Sequence, residues 1–147
     1  MSVTVIKKMP SADEIITRHP LSAAGEQGVA RDRKEICDIL AGRDNRLLLI
    51  VGPCSAWPSE SVLEYARRLK KLSEELTGKI KIVMRVYIQK PRTIKGWLGP
   101  VNQPNPHEPA DITKGVEYCR DMMVKIVEMG LPIADEALFT QIGRAHV

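Results

Sequence analysis

Leu47-Leu48-Leu49-Ile50-Val51 is an unbroken apolar run cut off by Gly52-Pro53, and no other stretch limits the possible folds so sharply. Five consecutive strand-forming residues with no polar alternation predict a strand buried on both faces, the habit of parallel sheets. The plan then repeats. Val62, Tyr65, Ala66, Leu69, Leu72 and Leu76 recur at helical spacing, with Ser59 or Ser61 as the expected N-cap and Gly78 as the stop. Residues 81–88 read as a second strand. Val116, Cys119, Met123 and Ile126 mark a further helix ending at Gly130, and Leu131-Pro132-Ile133-Ala134 begins a third strand that runs to about Leu138. Strand, helix, strand, helix, strand implies parallel pairing through right-handed crossovers, in a doubly wound sheet or a barrel.

Ahead of this lies a helical pair. Ser11-Ala12-Asp13-Glu14 has capping-box spacing, His19-Pro20 interrupts the short helix that follows, and a second helix is expected from Ser22 to Ala41 with Gly42 as its terminator. The resulting division is a helical extension over 1–44, strand and helix units over 45–140, and a tail over 141–147. One back-translation of Ile142 to Val147 is a sequencing-library adapter, so the tail reads as non-native read-through. Three parallel strands with two main helices leave open edges, and the chain is expected to be an N-terminal piece of a larger protein.

Met84-Arg85-Val86-Tyr87-Ile88-Gln89-Lys90-Pro91-Arg92-Thr93 carries a strand into a cluster of cations. Pro91 fixes its own φ and drives Lys90 toward an extended conformation, so the chain should leave the sheet near Gln89. Lys90, Arg92 and Thr93 then offer a compact charge, a planar fork of donors and a hydroxyl, a set suited to phosphate, although a solvated turn accounts for them equally. Arg85 lies among apolar neighbours, where a buried cation calls for an anion. Glu136 closes the third strand as a site carboxylate or a partner for one of these cations. Cys54, just past the first strand, is a metal-ligating or nucleophilic thiolate, or a small residue in a tight turn. Cys37 and Cys119 sit on apolar helical faces and are expected in the core.

The 147 residues carry a formal net charge of +4 and no block of five or six consecutive cations, which suits small anionic substrates as well as nucleic acid. Aromatic residues make up only 4%, which leaves little for base stacking and argues weakly against single-stranded nucleic acid, so no nucleic-acid partner is expected. Without a signal sequence or an apolar stretch of bilayer length, and with three widely spaced cysteines, the expected protein is cytoplasmic, with no membrane partner and no disulfide framework.

Gly52-Pro53-Cys54-Ser55, Met84-Arg85-Val86-Tyr87, Lys90-Pro91-Arg92-Thr93, Gly96-Trp97 and Gly130-Leu131-Pro132, in this order, resemble the type I 3-deoxy-D-arabino-heptulosonate 7-phosphate (DAHP) synthases from about Pro20 to Leu138. The resemblance implies the first part of a (β/α)₈ TIM barrel, about three strands, behind a helical extension. It also implies condensation of phosphoenolpyruvate with erythrose 4-phosphate, the entry to aromatic amino acid biosynthesis. Carried over by motif, Cys54 is one ligand of a divalent manganese, iron, zinc or copper ion. Arg85 and the catalytic Lys90 hold phosphoenolpyruvate, and Arg92 with Thr93 holds the phosphate of erythrose 4-phosphate. The family's remaining ligands fall on later strands, so this piece alone is expected to be inactive. Homo-oligomer contacts and feedback inhibition through the extension are further implications. Many members have Ile-His-Asp in place of Ala56-Trp57-Pro58, Glu in place of Gln89 and Lys in place of Leu98. Competing readings are the sister condensation with arabinose 5-phosphate and a non-catalytic anion or nucleic-acid binding module.

Overall fold

The computed structural model describes residues 9–90 and 96–136; Arg92, Thr93 and the 141–147 tail lie outside them. The elements in chain order are α1 (Ala12–Arg18), α2 (Ala23–Leu40), β1 (Leu47–Val51), α3 (Ser59–Glu75), β2 (Ile80–Arg85), α4 (Ile112–Glu128) and β3 (Ile133–Ala134). The strands form one parallel sheet in the order β1-β2-β3, with Leu47 opposite Ile80, Val51 opposite Met84 and Arg85 opposite Ala134. This is the α/β architecture expected.

The side-chain period of two divides β2 between its faces. Ile82 and Met84, both fully buried, point into a core shared with Val62 and Ala66 of α3 and Met122 and Ile126 of α4. Each such side chain contributes about 1.5–3 kcal/mol relative to exposure. Lys81, Val83 and Arg85 share the opposite face. Val83 is buried there, and Lys81 and Arg85 occupy the two ends.

Local signals account for most boundaries. Ser11 and Glu14 form the capping box of α1, Ser22 caps α2 by accepting from Gly25 N, and Asp111 caps α4 by accepting from Lys114 N. Gly42 and Gly130 end their helices at φ 69° and 76°, in the left-handed region that glycine enters without steric cost. Helix α3 departs from expectation at both ends. Its N-cap is Pro58, with no side-chain cap, in place of either serine, and it stops at Glu75, before Gly78.

Three other expectations are corrected. β1 is not buried on both faces: Leu47 is 63% and Ile50 52% exposed, because β1 is an edge strand among the described residues. Cys37 is exposed on α2, whereas Cys119 is buried as expected. β2 ends at Arg85, short of Ile88, and β3 at Ala134, short of Leu138, although the Val86 amide still donates to the Ala134 carbonyl at 2.8 Å.

The helical extension is joined to the sheet by charge. Lys81 Nζ lies 2.7 Å from Asp32 and 3.0 Å from Glu35 of α2, and Arg46, just before β1, reaches both Glu35 and Asp44. These contacts put the middle of α2 at the amino end of the strands. Further along, Ser22 donates through its amide and hydroxyl to Glu128, and Arg120 donates to the carbonyl of His19, tying the α1–α2 junction to α4.

Candidate active site

The carboxyl end of the sheet, opposite α2, gathers the chemistry. Gly52-Pro53 turns the chain out of β1, and the turn is secured at Ala56, which is fully buried. Its amide donates to the Tyr87 carbonyl at 3.4 Å, and its carbonyl accepts from the Tyr118 hydroxyl at 3.0 Å. Burial pushes the Tyr118 phenol up to about 12, so it remains a donor at physiological pH. Cys54 is left exposed at the rim.

Arg85 ends β2 beside this turn. Its Nη2 donates to the carbonyls of Gly52 (2.8 Å) and Pro53 (3.3 Å), and its guanidinium carbon sits 4.2 Å from the centre of the Tyr87 ring. Its Nε is buried and has no hydrogen-bond partner among the described residues. The anion expected beside this cation is therefore replaced by two carbonyl dipoles and an aromatic face.

Lys90 is only 7% exposed, and its Nζ lies 2.6 Å from the Cys54 carbonyl and 3.6 Å from Cys54 Sγ. Its backbone amide donates to the Leu98 carbonyl at 2.9 Å, so the loop after Gly96 folds back onto the strand end. Gly99 permits this at φ 102°: a Cβ there would stand 2.5 Å from the Ile88 carbonyl oxygen. Within the loop, Trp97 Nε1 donates to the Gln103 carbonyl, while Gln103 Nε2 donates to the Glu108 carbonyl.

The structure thus brings Cys54, Arg85 and Lys90 together. Glu136 is adjacent but accepts at 2.7 Å from the Tyr87 hydroxyl, a phenol and not a cation. That hydrogen bond, more than burial, pushes the Tyr87 phenol up. Tyr87 went unrecognised as a site residue in the sequence; its i, i+2 spacing from Arg85, which puts both side chains on one side of an extended segment, was the available signal. Asp135 was also missed. Burial pushes its carboxyl up, and its charge adds to the burial that raises the Cys119 thiol to about 12. Among the described residues, no group of three or more His, Cys, Asp or Glu side chains could hold a metal ion. Cys54 by exposure and position suits a single ligand. No helix among them is long and apolar enough to cross a membrane.

A parallel α/β sheet that collects cations and a thiol at its carboxyl edge defines the class of barrel and open-sheet proteins that hold ligands at strand ends. The chain belongs to the DAHP synthetase I family, whose profile matches residues 16–144. It is 43% identical over 136 residues to the Tyr-sensitive phospho-2-dehydro-3-deoxyheptonate aldolase of Salmonella typhimurium, covering 92% of this chain and 38% of that protein. It is 45% identical over 121 residues to the phenylalanine-inhibited enzyme of Saccharomyces cerevisiae, covering 82% of this chain and 32% of that one. The solved phospho-2-dehydro-3-deoxyheptonate aldolase of Francisella tularensis superposes with a TM-score of 0.88 at 36% identity, over 93% of this chain and 40% of its own. The chain therefore spans about a third to two fifths of the length of these relatives.

Proposed function

We propose that the protein condenses phosphoenolpyruvate with erythrose 4-phosphate and water to give DAHP and phosphate, and that this stretch carries the first cation and thiol positions of the site. The observation that supports it most is Arg85, a cation wedged at a strand end with a buried Nε–H left over for an incoming anion. An unsatisfied buried donor costs about 1–3 kcal/mol, and a carboxylate or phosphate oxygen would remove that cost with a charge-assisted bond.

The reaction must bring two polyanions together so that the methylene carbon of one attacks the aldehyde carbon of the other. Fixed cations offset that repulsion without reorganising during the reaction. Arg85 is held in plane by Gly52, Pro53 and Tyr87, and orients the carboxylate or phosphate of phosphoenolpyruvate. Lys90, anchored on the Cys54 carbonyl, presents its ammonium to the same substrate. Arg92 and Thr93 are assigned to the erythrose 4-phosphate phosphate by their motif, and Glu136 to the edge of the pocket. Cys54 would be one ligand of a divalent manganese, iron, zinc or copper ion, completed by groups outside the described residues. When bound, such an ion supplies Lewis acidity at the aldehyde oxygen or orients the attacking water. Self-association through the helical extension, and a cytoplasmic location, belong to the same reading.

Phosphate release measured with both substrates tests the reaction. Turnover is expected from the protein in which this stretch is joined to the family's remaining strands, with erythrose 4-phosphate strongly preferred over arabinose 5-phosphate. The 147-residue chain alone should show none, since a single thiol makes no metal site of ordinary coordination. Preference for arabinose 5-phosphate would overturn the substrate assignment, and turnover by the isolated chain would overturn its incompleteness.

A further inference from the structure

Trp57 belongs to none of the groups assigned so far, yet it stands between the two loops of the site. Its ring meets Trp97 edge-on, with centroids 6.4 Å apart at 69°, and His107 in the same way at 5.9 Å and 67°. The backbone that carries it cannot drift, because the preceding Ala56 is buried and bonded both to Tyr87 and to Tyr118. The loop it meets is bonded to the strand end through Lys90 N to Leu98 O and Val101 N to Ile88 O. On the other side of the same turn, the Cys54 carbonyl receives the Lys90 ammonium. Lys90 is therefore held at both ends, its ammonium on the Cys54 carbonyl of the turn and its backbone amide on the Leu98 carbonyl of the loop, and Trp57 is a side chain of the turn that packs against the loop at Trp97 and His107.

We infer that Trp57 is a positioning residue that keeps the Lys90 ammonium sequestered against Cys54 by clamping Trp97 and His107. Its importance for catalysis rests on the reading of Lys90 as a substrate cation; its effect on Lys90 does not. Edge-to-face aromatic pairs add to stability beyond the area they bury, and two of them meet on this one indole. Truncating the indole removes the loop's aromatic contacts with the turn while its backbone bonds to Lys90 and Ile88 remain, so the loop loosens and the buried lysine gains access to solvent while the far end of β2 stays closed.

Lysine acylation by a small reagent, followed residue by residue by mass spectrometry, reads this directly. Lys81 serves as the internal reference: it lies near the amino end of β2, whereas Lys90 follows the strand's carboxyl end, and it is held by Asp32 and Glu35. In Trp57→Ala, labelling of Lys90 is expected to rise about tenfold with Lys81 unchanged, the equivalent of losing both edge contacts. Trp57→Phe should restore most of the protection. Unchanged Lys90 labelling in Trp57→Ala, or a parallel rise at Lys81, would overturn the inference. Should Trp57→Ala lose its fold, His107→Ala decides: an increase of about threefold at Lys90 alone supports the clamp, and no change refutes it. The measurement needs neither substrate nor turnover, so it fails independently of the proposed reaction.

Discussion

Gly52 and Arg85 fit each other twice over. The Gly52 carbonyl accepts from Arg85 Nη2 at 2.8 Å, and a Cβ on Gly52 would lie 2.0 Å from the Arg85 carbonyl oxygen. The glycine allows β1 and β2 to converge where the guanidinium is aimed, and that same approach supplies one of the carbonyls that hold it.

Gly52→Ala should therefore disturb both stability and site. The contact is with backbone, which cannot rotate away, so a loss of about 1–3 kcal/mol in thermal or denaturant unfolding is expected, as for other overpacked positions. Wild-type stability in this variant would mean that the strands separate freely at this point.

Arg85→Lys keeps the charge but gives up the planar fork and the stacking on Tyr87. On the proposed reaction, in the protein that carries the family's remaining strands, kcat/KM for phosphoenolpyruvate should fall about 10- to 100-fold, the worth of a charge-assisted hydrogen bond. A variant with unchanged kinetics would remove Arg85 from the substrate site.

Lys81 and Asp32 are nearly buried, each side chain 12% exposed. Replacing Lys81 by Met strands the Asp32 carboxylate, while Glu35 keeps Arg46, and should cost about 3–5 kcal/mol, whereas Lys81→Met combined with Asp32→Leu should recover much of that loss. A double-mutant cycle measures the coupling, and additive effects would show that the Lys81–Asp32 pair adds nothing to the hold on α2.

Glu35 feels burial, which raises its pKa, but hydrogen bonds from Lys81 and Arg46 and their charges outweigh it and the net shift is downward from 4.5. A folded pKa below the unfolded one stabilises above the unfolded value, and that contribution is lost as pH falls through the folded one. Unfolding followed between pH 6 and 3 should show declining stability, with a shallower slope in Glu35→Gln.

Asp135 has the opposite sign. Burial raises its carboxyl from 3.8, so ionisation opposes folding at neutral pH, and stability is regained as pH falls through the raised value. Asp135→Asn keeps an acceptor for the backbone amides of Ile88 and Glu136 and should stabilise the chain at pH 7 while lowering the Cys119 thiol pKa. Destabilisation at pH 7 would assign those amides to a charge-dependent bond.

What depends on neighbours in the chain was readable in advance. Ser11 with Glu14, Ser22, Gly42 and Gly130 mark helix ends through contacts spanning a few residues, and the apolar run at Leu47 announces a strand whatever surrounds it. The motif residues Cys54, Arg85 and Lys90 were likewise visible, since a strand end determines where they emerge. Burial and partnership were not. Whether β1 is covered depends on which strands flank it, and Cys37 faces solvent because α2 turns its acidic side toward Lys81. Lys90 rests on Cys54 across thirty-six residues of chain, and Arg85 receives carbonyls and a tyrosine ring where its composition alone asked for an anion. Local propensities are short-ranged and additive, so the sequence carried them. The electrostatic environment of a cation is set by groups that only chain closure brings within a few ångströms, and that was decided in three dimensions.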